Sequence, residues 1–331
     1  MSAAPEAAVS ADAAWATQAE RSNAAMLRVM RWIAVTLGRR VSRLVLHPIT
    51  LYFMVFGGAA ARASTGYLTR VLGRPARWSE RYRHIHHFAA TVLDRVYLLR
   101  GNLHLFEVEV VGAEHLDAVL AGGRGAFLVG GHLGSFEALR ALGQQRRGLR
   151  VAMLMYEHNA RLLTTTLRAI APDAVQKVIG LGRMESMLEL RDWLDDGGVA
   201  GLLADRTLQG PGTADSASGR SRTHWIPFLG QPAAFSDGAF RLAALLRRPV
   251  VFMAGLYLGG GRYQLRFAPL ADFSSVAANG RDAAVGEAVR RYARVLEQHC
   301  RETPRNWFNF FDFWAGSPGP QDPDDARSET P

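Results

Sequence analysis

A histidine five residues ahead of a glutamate, in Gly131-His132-Leu133-Gly134-Ser135-Phe136-Glu137, is the spacing in this chain best suited to chemistry. An imidazole is a base near neutral pH, and a carboxylate fixes which ring nitrogen carries the proton. Such a pair can strip a proton from an alcohol, an amine or water. On a continuous helix a five-residue offset turns two side chains roughly 140° apart, out of contact. The apolar run Ala126-Phe127-Leu128-Val129 reads instead as a buried strand, and residues 136–142 as the start of a helix with Ser135 as its N-cap. His132 then falls in the turn and Glu137 in the first helical turn, where the two can meet. The helix dipole there favours the ionised Glu137. The plainer alternative is a packed loop histidine and a solvated glutamate. No cysteine or serine stands in a nucleophilic setting beside the pair, which favours direct transfer over a covalent protein intermediate.

These residues need a frame, and the chain supplies strand and helix signals in alternation. A helical stretch at 78–99 leads into strand signals at 106–111, 126–129, 151–155, 199–203, 250–257 and 263–267. Helical patterns lie between them at 136–145, 160–169, 184–194 and 236–246, and a last helix at 283–300 closes the body. This order predicts an α/β fold, a mostly parallel central sheet flanked by helices. The glycine run Leu258-Gly259-Gly260-Gly261-Arg262 reads as an antiparallel hairpin at a sheet edge.

Ahead of the body, residues 44–61 carry no formally charged side chain, with Arg39, Arg40 and Arg43 before them and Arg62 after. About 18 residues is the lower edge of a transmembrane span, and His47, Pro48, Gly57 and Gly58 interrupt this one. Arginines on both flanks give no topological asymmetry. An oblique, re-entrant or surface-lying anchor is expected, with a core helix as the alternative; residues 24–37, with Arg28 and Arg31 among apolar neighbours, have the pattern of an interfacial helix. The division is a flexible N-terminus (1–22), a membrane-associated helical region (23–75), the α/β body (76–315) and a disordered tail (316–331).

Composition narrows the chemistry. The chain of 331 residues carries a formal charge of +9, almost all of it arginine, since Lys177 is the sole lysine. Arginine forks suit phosphate, carboxylate and anionic lipid surfaces. They also suit nucleic acid, but no RNA-recognition signature is present. Cys300 stands alone, which excludes an internal disulfide and argues against a thiolate zinc site. His84, His86 and His87 lack a cysteine or carboxylate placed to complete a metal shell. No G-x-S-x-G elbow occurs, so an ordinary serine hydrolase is not expected, and no glycine-rich nucleotide loop is indicated.

The His132–Glu137 block resembles the H-x-x-x-x-[DE] motif of the lysophospholipid acyltransferase superfamily, and its glutamate is similar to that of the late, lauroyl/myristoyl-type acyltransferases of lipid A biosynthesis. Three further stretches follow in that family's order. Leu203-Ala204-Asp205-Arg206 resembles its Asp block at a strand end, Ile226-Pro227-Phe228-Leu229-Gly230-Gln231-Pro232-Ala233 its V-P-F-F-G-x-P-A block, and Pro304-Arg305-Asn306-Trp307-Phe308 its P-x-x-W block. The resemblance covers about residues 25–315 and departs at three places. These are Arg206, the aromatic run Phe310-Phe311-Asp312-Phe313-Trp314, and a polar loop at 209–223. It is therefore closer to a divergent branch, including enzymes linked to pigment or other envelope lipids.

The resemblance implies a membrane-associated acyltransferase on the cytoplasmic face of a bacterial inner membrane. His132 would deprotonate an acceptor hydroxyl or amine attacking an acyl thioester, with Glu137 orienting it. Acyl carrier protein is the donor implied ahead of coenzyme A, and a lipid or glycolipid is the acceptor. An acidic carrier suits a basic surface. Arg206 is the first choice for a phosphate or oxyanion contact, with an ion pair to Asp205 or a neighbour as the alternative. Asp205, Asn159, Arg183 and Gly134 complete the expected substrate-binding set. The run from Trp307 to Trp314 suits an acyl groove, a bilayer interface or plain core packing. A lipid ester hydrolase using the same dyad, and a non-catalytic basic adaptor for membrane or RNA, are the alternatives.

Overall fold

The computed structural model describes Trp32 and residues 36–145, 149–156, 177–206 and 222–317. Two helices open it, α1 (Thr36–Phe56) and α2 (Gly58–Leu72), bent by 93° at their junction. Then come α3 (Trp78–Leu99), β1 (Glu107–Val111), α4 (Ala113–Leu120), β2 (Ala126–Gly130), α5 (Phe136–Gln145), β3 (Val151–Tyr156) and β4 (Lys177–Leu181). The remainder is α6 (Met184–Asp195), β5 (Val199–Leu203), β6 (Thr223–Phe228), β7 (Gln231–Ser236), α7 (Gly238–Leu245), β8 (Pro249–Gly259), β9 (Arg262–Asp272) and α8 (Arg281–Glu302).

Seven strands form one sheet in the order β1-β9-β8-β2-β5-β3-β4. Every neighbouring pair is parallel except β8–β9. All of β2 is buried, and its alternate residues feed two cores. Phe127 and Val129 face the core built with Leu190, Phe252, Tyr292 and Leu296, so α6 and α8 cover that side. Ala126 and Leu128 face the core of Leu93, Leu139, Val251 and Met253, so α3 and α5 cover the other. A strand buried on both faces needs an unbroken apolar run, and Ala-Phe-Leu-Val supplies it.

The expected mostly parallel sheet flanked by helices is present, with differences in detail. The β8–β9 hairpin is not the sheet edge, because β1 pairs in parallel with β9 outside it. That pairing spans well over a hundred residues of sequence, beyond the reach of local patterning. Strands β4, β6 and β7 and helix α4 were not among the expected elements. The proline block Ile226–Ala233 forms a separate antiparallel hairpin, β6–β7, turning at Leu229 (φ 50°) and Gly230 (φ 86°). Positive φ at both turn positions is the type I′ geometry that matches strand twist. The helix expected at 236–246 begins two residues later because Ser236 ends β7. The helix expected at 160–169, residues 1–22, most of the loop at 209–223 and nearly all of the tail lie outside the described residues.

No described helix is by itself long and apolar enough to cross a membrane, whereas the bent pair α1–α2 passes that test as a unit. The stretch 44–61 therefore straddles a bend. One side of α1 is locked to the body. Arg39 donates from Nε and Nη2 to the two oxygens of buried Asp94 on α3 (2.9 and 3.1 Å), and Tyr263 donates its hydroxyl to the same carboxylate (3.0 Å). Arg43 reaches the Tyr257 hydroxyl at 2.7 Å. The other side leaves Leu44, Tyr52, Val55 and Phe56 more than half exposed.

Candidate active site

The chain leaves β2 at Gly130, and three main-chain hydrogen bonds fix the turn that follows. The Gly134 N–H donates to the Asn306 carbonyl (2.8 Å) and the Ser135 N–H to the Gly255 carbonyl (2.7 Å). The Phe308 N–H donates to the His132 carbonyl (2.7 Å), and this bond with the Gly134–Asn306 bond pairs Leu133 antiparallel to Trp307. Gly134 adopts φ +74°, and a Cβ there would overlap the Gly255 carbonyl oxygen, so glycine alone fits. Its N–H is spent on Asn306. Gly134, expected among the substrate-binding residues, therefore shapes the loop.

Asp205 is the carboxylate that meets His132. Gly130 of β2 pairs with Leu203 of β5, so the two loops leave the sheet side by side at its carboxyl edge. There His132 Nδ1–H donates to Asp205 Oδ1 (2.8 Å) and the His132 main-chain N–H to Oδ2 (2.8 Å). The Trp307 indole Nε1–H also donates to Oδ2 (2.8 Å). Gly131 lies against this group, its Cβ position only 3.1 Å from Asp205 Oδ2. Burial alone would raise the Asp205 carboxyl; the charge of His132, the two hydrogen bonds it gives and the charge of Arg206 outweigh it and hold the carboxyl at about 2. An ionised Asp205 only accepts, so the hydrogen-bond pattern puts the histidine proton on Nδ1. Nε2 is left as a base, without a partner among the described residues, on a ring 28% exposed.

The dyad expected between His132 and Glu137 is replaced. Glu137 is buried, but its Oε1 is held by Arg95 of α3 (2.7 Å) and its Oε2 accepts from the Ser135 hydroxyl (3.1 Å). The first turn of α5 directs this carboxylate towards α3, away from β5. Ser135 correspondingly gives its hydroxyl to Glu137. Arg95–Glu137 ties α5 to α3 beside the turn carrying His132.

The remaining expected residues separate. Arg206 directly follows Asp205 and is exposed, its guanidinium 5.4 Å from the Phe311 ring centroid. Arg183 sits just before α6, with its Nε 3.5 Å from Glu185. It follows β4, the outermost strand, three strands from β2 or roughly 14 Å at ordinary spacing. The structure does not bring it to His132. Asn159 lies outside the described residues.

Several residues of the site were not anticipated. Trp307 is fully buried, with its indole on Asp205 and its rings edge-on to Tyr67 and Phe228. Of the alternatives for the aromatic run, core packing describes Trp307, Phe313 and Trp314, while Phe311 is exposed. Asn306 brackets Tyr257 in β8, accepting its N–H at Oδ1 (2.7 Å) and donating to its carbonyl (3.2 Å). His84, from the histidine cluster, is buried between Ser64 and the Trp307 carbonyl, 2.8 Å from each. The carbonyl takes the Nε2 proton, so Nδ1 accepts from Ser64. Asn309, next to Phe308, is 2% exposed, and neither atom of its amide has a partner among the described residues. Only the P-x-x-W block hinted at this strap; its contacts run back to residues far away in sequence.

The four blocks in family order therefore converge on one place. The turn after β2 holds His132, the Asp block holds its partner, and the C-terminal block clamps both. The β6–β7 hairpin backs the clamp through Phe228, whose carbonyl accepts the Trp314 indole N–H (3.2 Å). A family model described as bacterial lipid A biosynthesis acyltransferase matches residues 30–315. No curated protein sequence matches the chain.

Proposed function

Since the chain belongs to the bacterial lipid A biosynthesis acyltransferases, we propose that His132 is its general base, oriented by Asp205, for moving a fatty acyl chain from a thioester to a lipid acceptor. The observation that carries this reading is the Asp205 hydrogen bond to His132 Nδ1, which leaves Nε2 free at the carboxyl edge of the sheet. Ligands of open α/β sheets bind at that edge.

His132 Nε2 takes the proton from the acceptor hydroxyl or amine as its oxygen or nitrogen attacks the thioester carbonyl. The bond from acceptor to carbonyl carbon forms, the tetrahedral oxyanion collapses, and the carbon–sulfur bond breaks. The imidazolium then returns the proton to the departing thiolate. Asp205 stabilises the imidazolium electrostatically, and Trp307 keeps Asp205 in place. Positioned base catalysis supplies roughly 10²–10⁴ in rate, and orientation and oxyanion stabilisation supply the rest. Exposed Arg206, beside Asp205, is the cation nearest in sequence for a phosphate or oxyanion contact.

Acyl carrier protein is the donor we favour over coenzyme A, because a chain of charge +9 attracts an acidic carrier. The bent, apolar-faced pair α1–α2 supports attachment to the cytoplasmic face of the inner membrane. The test supplies purified protein with acyl carrier thioester and envelope lipids, and identifies the product by mass. An acylated lipid formed by the wild type and lost by orders of magnitude in His132→Ala is expected. Free fatty acid released at the same rate without acceptor would mean a hydrolase instead.

A further inference from the structure

Away from His132, the bend between α1 and α2 meets the start of α3 in an open groove of about 490 Å³. Met54, Val55, Ala61 and Gly66 line it, together with two arginines, Arg62 of α2 and Arg81 of α3. Neither arginine has an ion-pair partner among the described residues. Two guanidiniums without a carboxylate partner on one groove leave their charge available to an anionic group. The groove's rim is apolar. Val55, which lines it, is 72% exposed, and the adjacent Phe56 71%.

We infer that this groove binds the phosphate of a membrane glycerophospholipid, gripped by Arg62 and Arg81, with the acyl chains running along the apolar side of α1. Two guanidiniums match a phosphate diester in both charge and geometry. A soluble anion would be served by the arginines alone and gives no reason for exposed Val55 and its neighbour Phe56 beside them. The site lies on α2 and α3 and uses none of the residues around His132. It rests on the membrane attachment proposed above, which it makes specific.

The test measures co-sedimentation of the full chain with vesicles of phosphatidylcholine alone and of phosphatidylcholine doped with phosphatidylglycerol. The comparison is between wild type, the double variant Arg62→Gln/Arg81→Gln and, as a charge control on exposed α3 surface, Arg83→Gln. Wild type is expected to prefer the doped vesicles. The double variant should lose about 30-fold in affinity for them, at about one factor of five per arginine, and Arg83→Gln much less. Thermal melting and His132-dependent turnover in detergent should be unchanged in the double variant.

Equal losses in the control and the double variant, or displacement of wild type by inorganic phosphate at matched concentration, would overturn the site as a lipid site. So would loss of turnover in detergent, which would assign the arginines to the reacting lipid. If wild type binds neither vesicle, the membrane attachment itself fails; if it binds without the arginines, only this inference does.

Discussion

The Trp307 indole donates to Asp205 Oδ2 at 2.8 Å, across 102 residues of sequence, and fixes the carboxylate that orients His132. The same tryptophan gives its carbonyl to His84, and its neighbour Phe308 gives its N–H to the His132 carbonyl. One short C-terminal strap thus sets the main chain of the base and the side chain of its partner.

Replacing Trp307 by Phe keeps most of the packing and deletes the donor. A hydrogen bond to a buried charge is worth about 1.5–3 kcal/mol, so a stability loss of that order is expected in urea unfolding. With one donor fewer the Asp205 carboxyl should titrate higher. A carboxylate less neutralised by Trp307 favours the His132 imidazolium, so the acid limb of the kcat/KM profile, set by that base, should move up in pH, a shift that loss of packing alone would not produce.

Asn309 offers a cleaner separation of stability from function. An unsatisfied buried amide costs about 1–3 kcal/mol, so Asn309→Leu should raise the melting temperature if the side chain serves only the fold. We expect stability to hold or rise while kcat falls at least tenfold, because such a cost is retained where a ligand completes the site. Thermal melting and steady-state kinetics on one preparation measure both.

Acid should unfold this protein early. Burial holds His84 at about 4, against a weaker opposing hydrogen bond to Trp307, and burial with nearby positive groups holds His87 at about 3. In the unfolded chain both take up protons near 6.5. Between about pH 6.5 and those folded values the unfolded state binds up to two more protons, so the stability present above pH 6.5 is lost as pH falls. Asp205, held at about 2, adds a loss of the same sign below about pH 4. Urea midpoints at pH 7.5, 6 and 5, values that bracket the histidine range, should fall in that order.

What was legible in the sequence was local. The run at β2, the glycines around His132 and the helix after them announced a strand–turn–helix, and α3 and α5 follow their apolar periodicity to the residue. Four short or edge elements escaped: α4 has only eight residues behind Gly112, and β4, β6 and β7 alternate weakly. The partner of His132 was misassigned for a related reason. Glu137 is five residues away and Asp205 is 73, yet β2 and β5 are sheet neighbours, whereas α5 turns Glu137 to Arg95. Spacing along the chain cannot distinguish those outcomes; strand order does.

The most direct measurement is the pH dependence of kcat/KM for Asp205→Asn beside Glu137→Gln. Asparagine at 205 can present its N–H to Nδ1 and so favour the wrong tautomer. We predict a fall of about 10³-fold or more with a displaced acid limb, the magnitude known for orienting carboxylates. Glu137→Gln should lower the amplitude and the melting temperature while leaving the limb in place. An Asp205→Asn enzyme with near-normal turnover, or a displaced limb in Glu137→Gln alone, would contradict the account.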